Sequence, residues 1–286
     1  MWGWLLAAHS VAFALHVTLT LVGLVSVIDK GSQNVPLYDI WPAWNATTCR
    51  SPVSVCPACA SNVESIADAN MSAIIIISQL VTSAFHAAQA WLIYTDNSTY
   101  KGITRRGIKA LFWFEYSVTA SLLAYVVAYY NGILDLRIQL LVVAAQSSLM
   151  LLGLLLDVLR YLSQLDWMAS NFKIARAIRG ACVVIFVVGF FNVGTVWAPG
   201  LVRLAAPDSL APSFVFWIVL SQTILYSSFG FVLAAFFVPF LFGRHRERLS
   251  EGWVFAENVA FISLSFASKA VLNTAFAICL VYGKCQ

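Results

Sequence analysis

Seven times along its 286 residues the sequence passes through twenty or more mostly apolar residues, separated by charged or Pro/Gly-rich interruptions. A helix needs about 20 such residues to cross the hydrocarbon of a bilayer. The runs fall at about 3–28, 72–94, 104–130, 138–162, 175–198, 213–242 and 253–282. What separates them cannot dissolve the chain: 60% of residues are hydrophobic and only 10% charged, against roughly 25% charged in an ordinary soluble domain. That balance excludes a water-soluble globule, a disordered chain and a small disulfide scaffold. A scattered net charge of +4 gives no footing for nucleic acid. Backbone polar groups in lipid must be satisfied within the segment that carries them. The fold class is therefore all-α, a seven-transmembrane-helix bundle forming one domain over 1–286. The expected setting is multi-pass, in the plasma membrane or another cellular membrane.

Lys and Arg set the orientation, because cytoplasmic loops retain positive charge. Lys101, Arg105, Arg106 and Lys109 fall between or at the edges of spans 2 and 3, Arg160, Lys173, Arg176 and Arg179 between spans 4 and 5, and Arg244, Arg246 and Arg248 between spans 6 and 7. The other side has Lys30, Arg50, Arg137, Arg203 and Lys284. Eleven against five predicts a cytoplasmic amino terminus and an extracellular carboxyl terminus. Segment 29–70 becomes an extracellular loop between helices 1 and 2, folded and expected to hold a short strand or hairpin. It carries N-glycosylation sequons at Asn45 and, at its edge, Asn70. Such tripeptides also arise by chance, and a third, at Asn97, would face the cytoplasm unmodified. Cys49, Cys56, Cys59 and Cys285 share the external side. The Cys56-Pro57-Ala58-Cys59 spacing is half of a zinc site with no second half, so a loop disulfide is the better reading and no metal is expected. With no basic stretch before the first run, span 1 is expected to remain as an uncleaved anchor.

Ionisable groups inside hydrocarbon are costly and mark function. They are His9 and His16 in span 1, His86 in span 2, Glu115 in span 3, Asp157 in span 4 and Lys269 in span 7. Counted from the external helix ends, Lys269, Glu115, His86 and His16 share one level, roughly 18–22 Å deep. His9 and Asp157 come out at roughly 28 Å, near the cytoplasmic surface, where a solvated role is expected. Lys269 lies in a stretch, Phe261 to Ala277, with no other charge. A dehydrated lysine amine is a nucleophile that condenses with an aldehyde to a Schiff base. The alternative is a structural ion pair with Glu115, but buried pairs add little net stability, so a pair kept in mid-membrane leans towards function. Glu115 is the carboxylate placed to balance such a cation. Thr119 lies one turn along from Glu115 and Ser265 one turn before Lys269, within reach of the same charges. His16 and His86 add a polar pocket suited to proton movement, or to interhelical bonding alone.

Span 3 reads Phe112-Trp113-Phe114-Glu115-Tyr116-Ser117-Val118-Thr119-Ala120-Ser121 and span 7 reads Ser265-Phe266-Ala267-Ser268-Lys269. Together they resemble the heliorhodopsins, the inverted-topology branch of the retinal-binding rhodopsins. The likeness extends over the whole seven-helix layout and the long first loop. It implies all-trans retinal on Lys269, Glu115 as counterion to the protonated Schiff base, isomerisation to 13-cis in light, and a slow photocycle. It also implies Ser265, His16 and His86 beside the Schiff base, Tyr116, Gln146, Met150 and Gly153 around the retinal, and a homodimer partly covered by the first external loop. Ser221, Gln222 and Tyr226 of span 6 match no signature. The sequons imply a eukaryotic secretory route, hence a eukaryote or a virus infecting one.

No enzyme chemistry is expected. The chain reads as a light sensor acting on an unidentified signalling partner, or as a light-gated ion channel with passive proton transport, which resembles some viral heliorhodopsins. A seven-helix receptor without chromophore is the third reading. An outward pump of the ordinary microbial kind wants a second carboxylate three turns along the third helix, where this sequence has Val126. Glu257 and Asp157 could give protons a cytoplasmic way in.

Overall fold

The structure, a computed structural model, describes residues 1–30, 34–41, 62–130, 133, 135–163, 165, 171–205, 213–241 and 251–282. In chain order these form α1 (Trp2–Lys30), β1 (Asn34–Trp41), β2 (Asn62–Asn70), α2 (Met71–Tyr94), α3 (Ser98–Arg105) and α4 (Ala110–Tyr130), then α5 (Leu136–Leu162), α6 (Phe172–Ala205), α7 (Ser213–Leu241) and α8 (Glu251–Tyr282). All the helices except α3 are long and apolar enough to cross a membrane, seven in number. Each packs on the next, α1 on α2, α2 on α4, then α5, α6, α7 and α8, and α8 returns to α1 to close a ring. The outside is apolar, with Val25, Leu141 and Phe191 more than half exposed, while Glu115, Lys269, His16 and Gln79 are buried. That inversion of the soluble pattern is what a lipid surrounding selects.

The capping residues are readable in the sequence. Asn70 starts α2 by accepting from the Ala73 N–H at 2.8 Å, and Asp135 starts α5 by accepting from Arg137 at 2.8 Å. Asn97 starts α3 by accepting from Tyr100 N–H at 2.9 Å. Two of the three sequon asparagines thus serve as helix caps.

Two boundaries differ from expectation. The third span does not begin near 104, because α3 ends there on Gly107, whose φ of 76° places it in the left-handed region. Gly107 donates to Thr104 O and Ile108 to Ile103 O, the paired bonds that close a helix on a glycine. The fifth span does not stop at 198 but runs through Pro199 to Ala205, a continuation that neighbouring helices permit in membranes. Between α1 and α2, β1 pairs antiparallel with β2 from Asn34↔Asn70 to Trp41↔Asn62, with an irregularity at Leu37/Tyr38. This ribbon lies against α5 and α2. Asn45, Cys49, Cys56, Cys59 and Cys285 lie outside the described residues. Cys182 is a buried free thiol.

Candidate functional site

One face of α2 carries Gln79, Thr82, Ser83, His86 and Gln89, which recur at the helical period and are all buried. On a membrane helix such a stripe turns inwards, since lipid offers its hydroxyls and amides nothing. It meets Glu115 from α4 and Lys269 from α8. Lys269 Nζ lies 2.5 Å from Glu115 Oε1 and 2.5 Å from Thr82 Oγ1, with Ser265 Oγ at 3.3 Å. Thr82 in turn donates to Glu115 Oε1 at 2.8 Å, and Thr119 reaches the same oxygen at 3.3 Å. One carboxylate oxygen therefore takes three donors, while Oε2 has none. The amine also stands 4.8 Å over the Tyr116 ring, a cation–π arrangement. All four partners of the amine are essentially closed to solvent.

The histidines form a second layer. His16 Nδ1 bonds Gln79 Oε1 at 2.8 Å, and Gln79 Nε2 reaches the Lys269 carbonyl at 3.4 Å. His86 stacks on His16 with ring centres 5.5 Å apart. His9 does not sit in a solvated zone near the surface as depth counting suggests; it is buried, with Nδ1 3.0 Å from His86 Nδ1. Counting at a fixed rise ignores the reach of the side chains and the tilt of the helices. From α7, Gln222 donates to the Ser268 carbonyl beside Lys269 at 2.9 Å.

On the other side of Tyr116 lies an apolar cavity of about 70 Å³, walled by Trp113, Met150, Gly153, Phe186, Tyr226 and Phe229 among others. The lining, apolar and aromatic, is that of a small-molecule site. A Cβ on Gly153 would stand 2.4 Å from the Trp113 ring, and one on Gly230 2.5 Å from Phe190. Both glycines are places where bulky rings press directly on backbone. Gln146 is buried on α5, one turn before Met150, with neither amide atom bonded. Lys269 is not part of the cavity wall. The rings of Tyr116 and Phe229, 5.3 Å apart, stand between. The lining suits an elongated apolar ligand tethered at the amine, and the Tyr116 and Phe229 rings would have to part to let it through.

Asp157 is not near solvent either. It and Glu257 are buried in a four-charge cluster with Lys109 and Arg160. Lys109 Nζ lies 3.0 Å from the Asp157 carboxylate and 2.8 Å from Glu257 Oε1. Arg160 Nη2 reaches Asp157 at 3.3 Å, Glu257 at 3.2 Å and the Gly107 carbonyl at 2.8 Å, and Trp113 Nε1 donates to Asp157 at 2.7 Å. Two acids and two bases balance, tying α4, α5 and α8 to the turn after α3. Removing one member strands a buried charge, so Arg160→Met is expected to lower stability by about 3–5 kcal/mol. Thermal unfolding in detergent measures it, and an unchanged midpoint would show that the cluster bears no strain of this kind.

The sequence did not single out Thr82, Gln79, Lys109 or Arg160. The first two could have been found from the stripe they share with His86. The last two look like loop charges because they stand at helix ends.

A family model described as Heliorhodopsin matches residues 32–279, which takes in α2 to α7 and the lysine and glutamate at the centre of the bundle. No curated protein matches the chain. Rhodopsins of this family are light-sensing proteins, not enzymes in the ordinary sense, and the family implies a retinal chromophore. With seven membrane-length helices as well, the chain is a multi-pass integral membrane protein and belongs to the heliorhodopsin family.

Proposed function

We propose that this chain is a photoreceptor in which Lys269 carries all-trans retinal as a protonated Schiff base and Glu115 is its counterion. The contact of 2.5 Å between Lys269 Nζ and Glu115 Oε1, buried beside an aromatic-lined cavity, carries the reading. Retinal, when bound, supplies the light-absorbing polyene and its isomerisation. The chain's own groups do the rest. Glu115 holds the positive charge at the lysine nitrogen, Thr82 bridges the two, and Ser265 offers a further hydroxyl. Tyr116 and Phe229 are placed to flank the polyene next to the attachment point, and Met150, Gly153 and Trp113 to receive its far end. The amino terminus faces the cytoplasm: with buried Lys109 and Arg160 set aside, nine basic residues still stand against five.

A second function, passive light-activated proton passage, is favoured by the histidine stack that adjoins the amine. Adding all-trans retinal to the expressed chain is expected to produce a visible band, and a chain that remains colourless would end the photoreceptor reading. Voltage clamp under light at two external pH values is expected to give a current that reverses with the proton gradient. No current leaves a sensor alone, and current sustained against the gradient means a pump.

A further inference from the structure

His9 is a buried group that neither the amine nor its counterion requires. It stands two turns from His16, about 10 Å along α1 towards the helix start. Helices α1 and α2 run antiparallel, His9 beside His86, His16 beside Gln79 and Gly23 beside Ile76. Moving from His16 to His9 therefore runs the same way as moving from Gln79 through His86 to Gln89. On that side the Tyr100 hydroxyl donates to Gln89 Oε1 at 3.2 Å, and burial pushes the Tyr100 phenol up to about 12, so it keeps its proton. Gln89, Tyr100, Thr104, Lys109 and Asn258 line a cavity of about 320 Å³, whose wall includes exposed Asn97 and Thr99.

Two neutral imidazoles with Nδ1 atoms 3.0 Å apart hold one proton between those atoms. The accepting ring must then carry its own proton on Nε2. Neither Nε2 has a partner, and both are buried. A proton arriving on the free Nε2 of one ring lets that ring hand its Nδ1 proton across. The second ring then gives up its Nε2 proton, and both end neutral with their tautomers exchanged. His16, Glu115 and Lys269 are the titratable groups that act on this pair. The other buried acids near this end, Asp157 and Glu257, are held by Lys109 and Arg160, and exposed Asp96 and Glu251 pair with Lys101 and Arg105.

We propose that His9 relays protons between the Lys269 site and the cavity behind Gln89 and Tyr100, so that the route follows α1 and α2 and bypasses Asp157 and Glu257. It rests on the reading of Lys269 as the retinal-bearing lysine. The test uses the full chain with all-trans retinal in oriented vesicles, a flash, and a pH-sensitive dye on the amino-terminal side. His9→Phe and His9→Asn are expected to keep the dark band and to slow the return of the proton to Lys269 on the order of a hundredfold, with the dye signal lost. Asparagine can keep a bond to His86 but cannot pass a proton on, so normal kinetics in His9→Asn would mean a structural role and overturn the relay. Normal kinetics in His9→Phe, or no dye signal in the wild type, would overturn it too. Without retinal, ¹⁵N-histidine NMR is expected to show coupling between two Nδ1 nitrogens that His9→Phe removes; its absence overturns the relay independently. A wild type that forms no pigment instead defeats the retinal reading.

Discussion

Lys269→Ala is expected to leave the chain colourless after addition of all-trans retinal, a complete loss of the visible band rather than a shift. Among the described residues the other enclosed lysine is Lys109, and its amine is held between Asp157 and Glu257. The substitution has a second cost. It leaves Glu115 buried with only Thr82 and Thr119 as donors, and stranding one partner of a buried pair costs about 3–5 kcal/mol. Combining Lys269→Met with Glu115→Gln removes both charges and should recover most of that loss, because a neutral pair of similar shape carries no such penalty. Thermal unfolding of the four retinal-free chains gives the cycle. A visible band surviving in Lys269→Ala would place the attachment elsewhere, whereas a double variant no more stable than the singles would mean that the pair is not energetically coupled.

What the sequence reveals of this molecule follows from how lipid filters residues. Twenty apolar residues in a row are unmistakable, so the seven helices could be read closely. An isolated lysine or glutamate deep in such a run is equally conspicuous, and Lys269 and Glu115 do meet. Lys109 and Arg160 escaped because a charge near a helix end reads as a loop charge. Only the turn at Gly107, which folds α3 back and lets Arg160 bond its carbonyl, shows that this end is enclosed. Thr82 escaped for another reason. Hydroxyls in membrane helices usually satisfy backbone carbonyls, as Thr20 and Ser83 do here, so one that instead bridges a lysine and a carboxylate has no signature of its own. The position of His9 depends on how closely α1 and α2 approach, which a count of residues does not contain.

Glu115→Gln is expected to move the visible band to longer wavelength, because the carboxylate steadies positive charge at the lysine nitrogen in the ground state. On excitation that charge moves along the polyene and away from the acid, so the ground state gains more from Glu115 than the excited state does. A unit pair about 4 Å apart at an effective dielectric near 20 is worth about 4 kcal/mol. Losing part of that from the energy of a visible photon gives a shift on the order of tens of nanometres. Thr82→Val is expected to shift the band in the same direction by less, as it removes one hydroxyl bridging the amine and the acid and leaves the charge in place. A band that did not move in Glu115→Gln would require another anion at the lysine. The buried carboxylates Asp157 and Glu257 are already neutralised by Lys109 and Arg160. The anion would then have to come from solution, and the band would depend on the halide present.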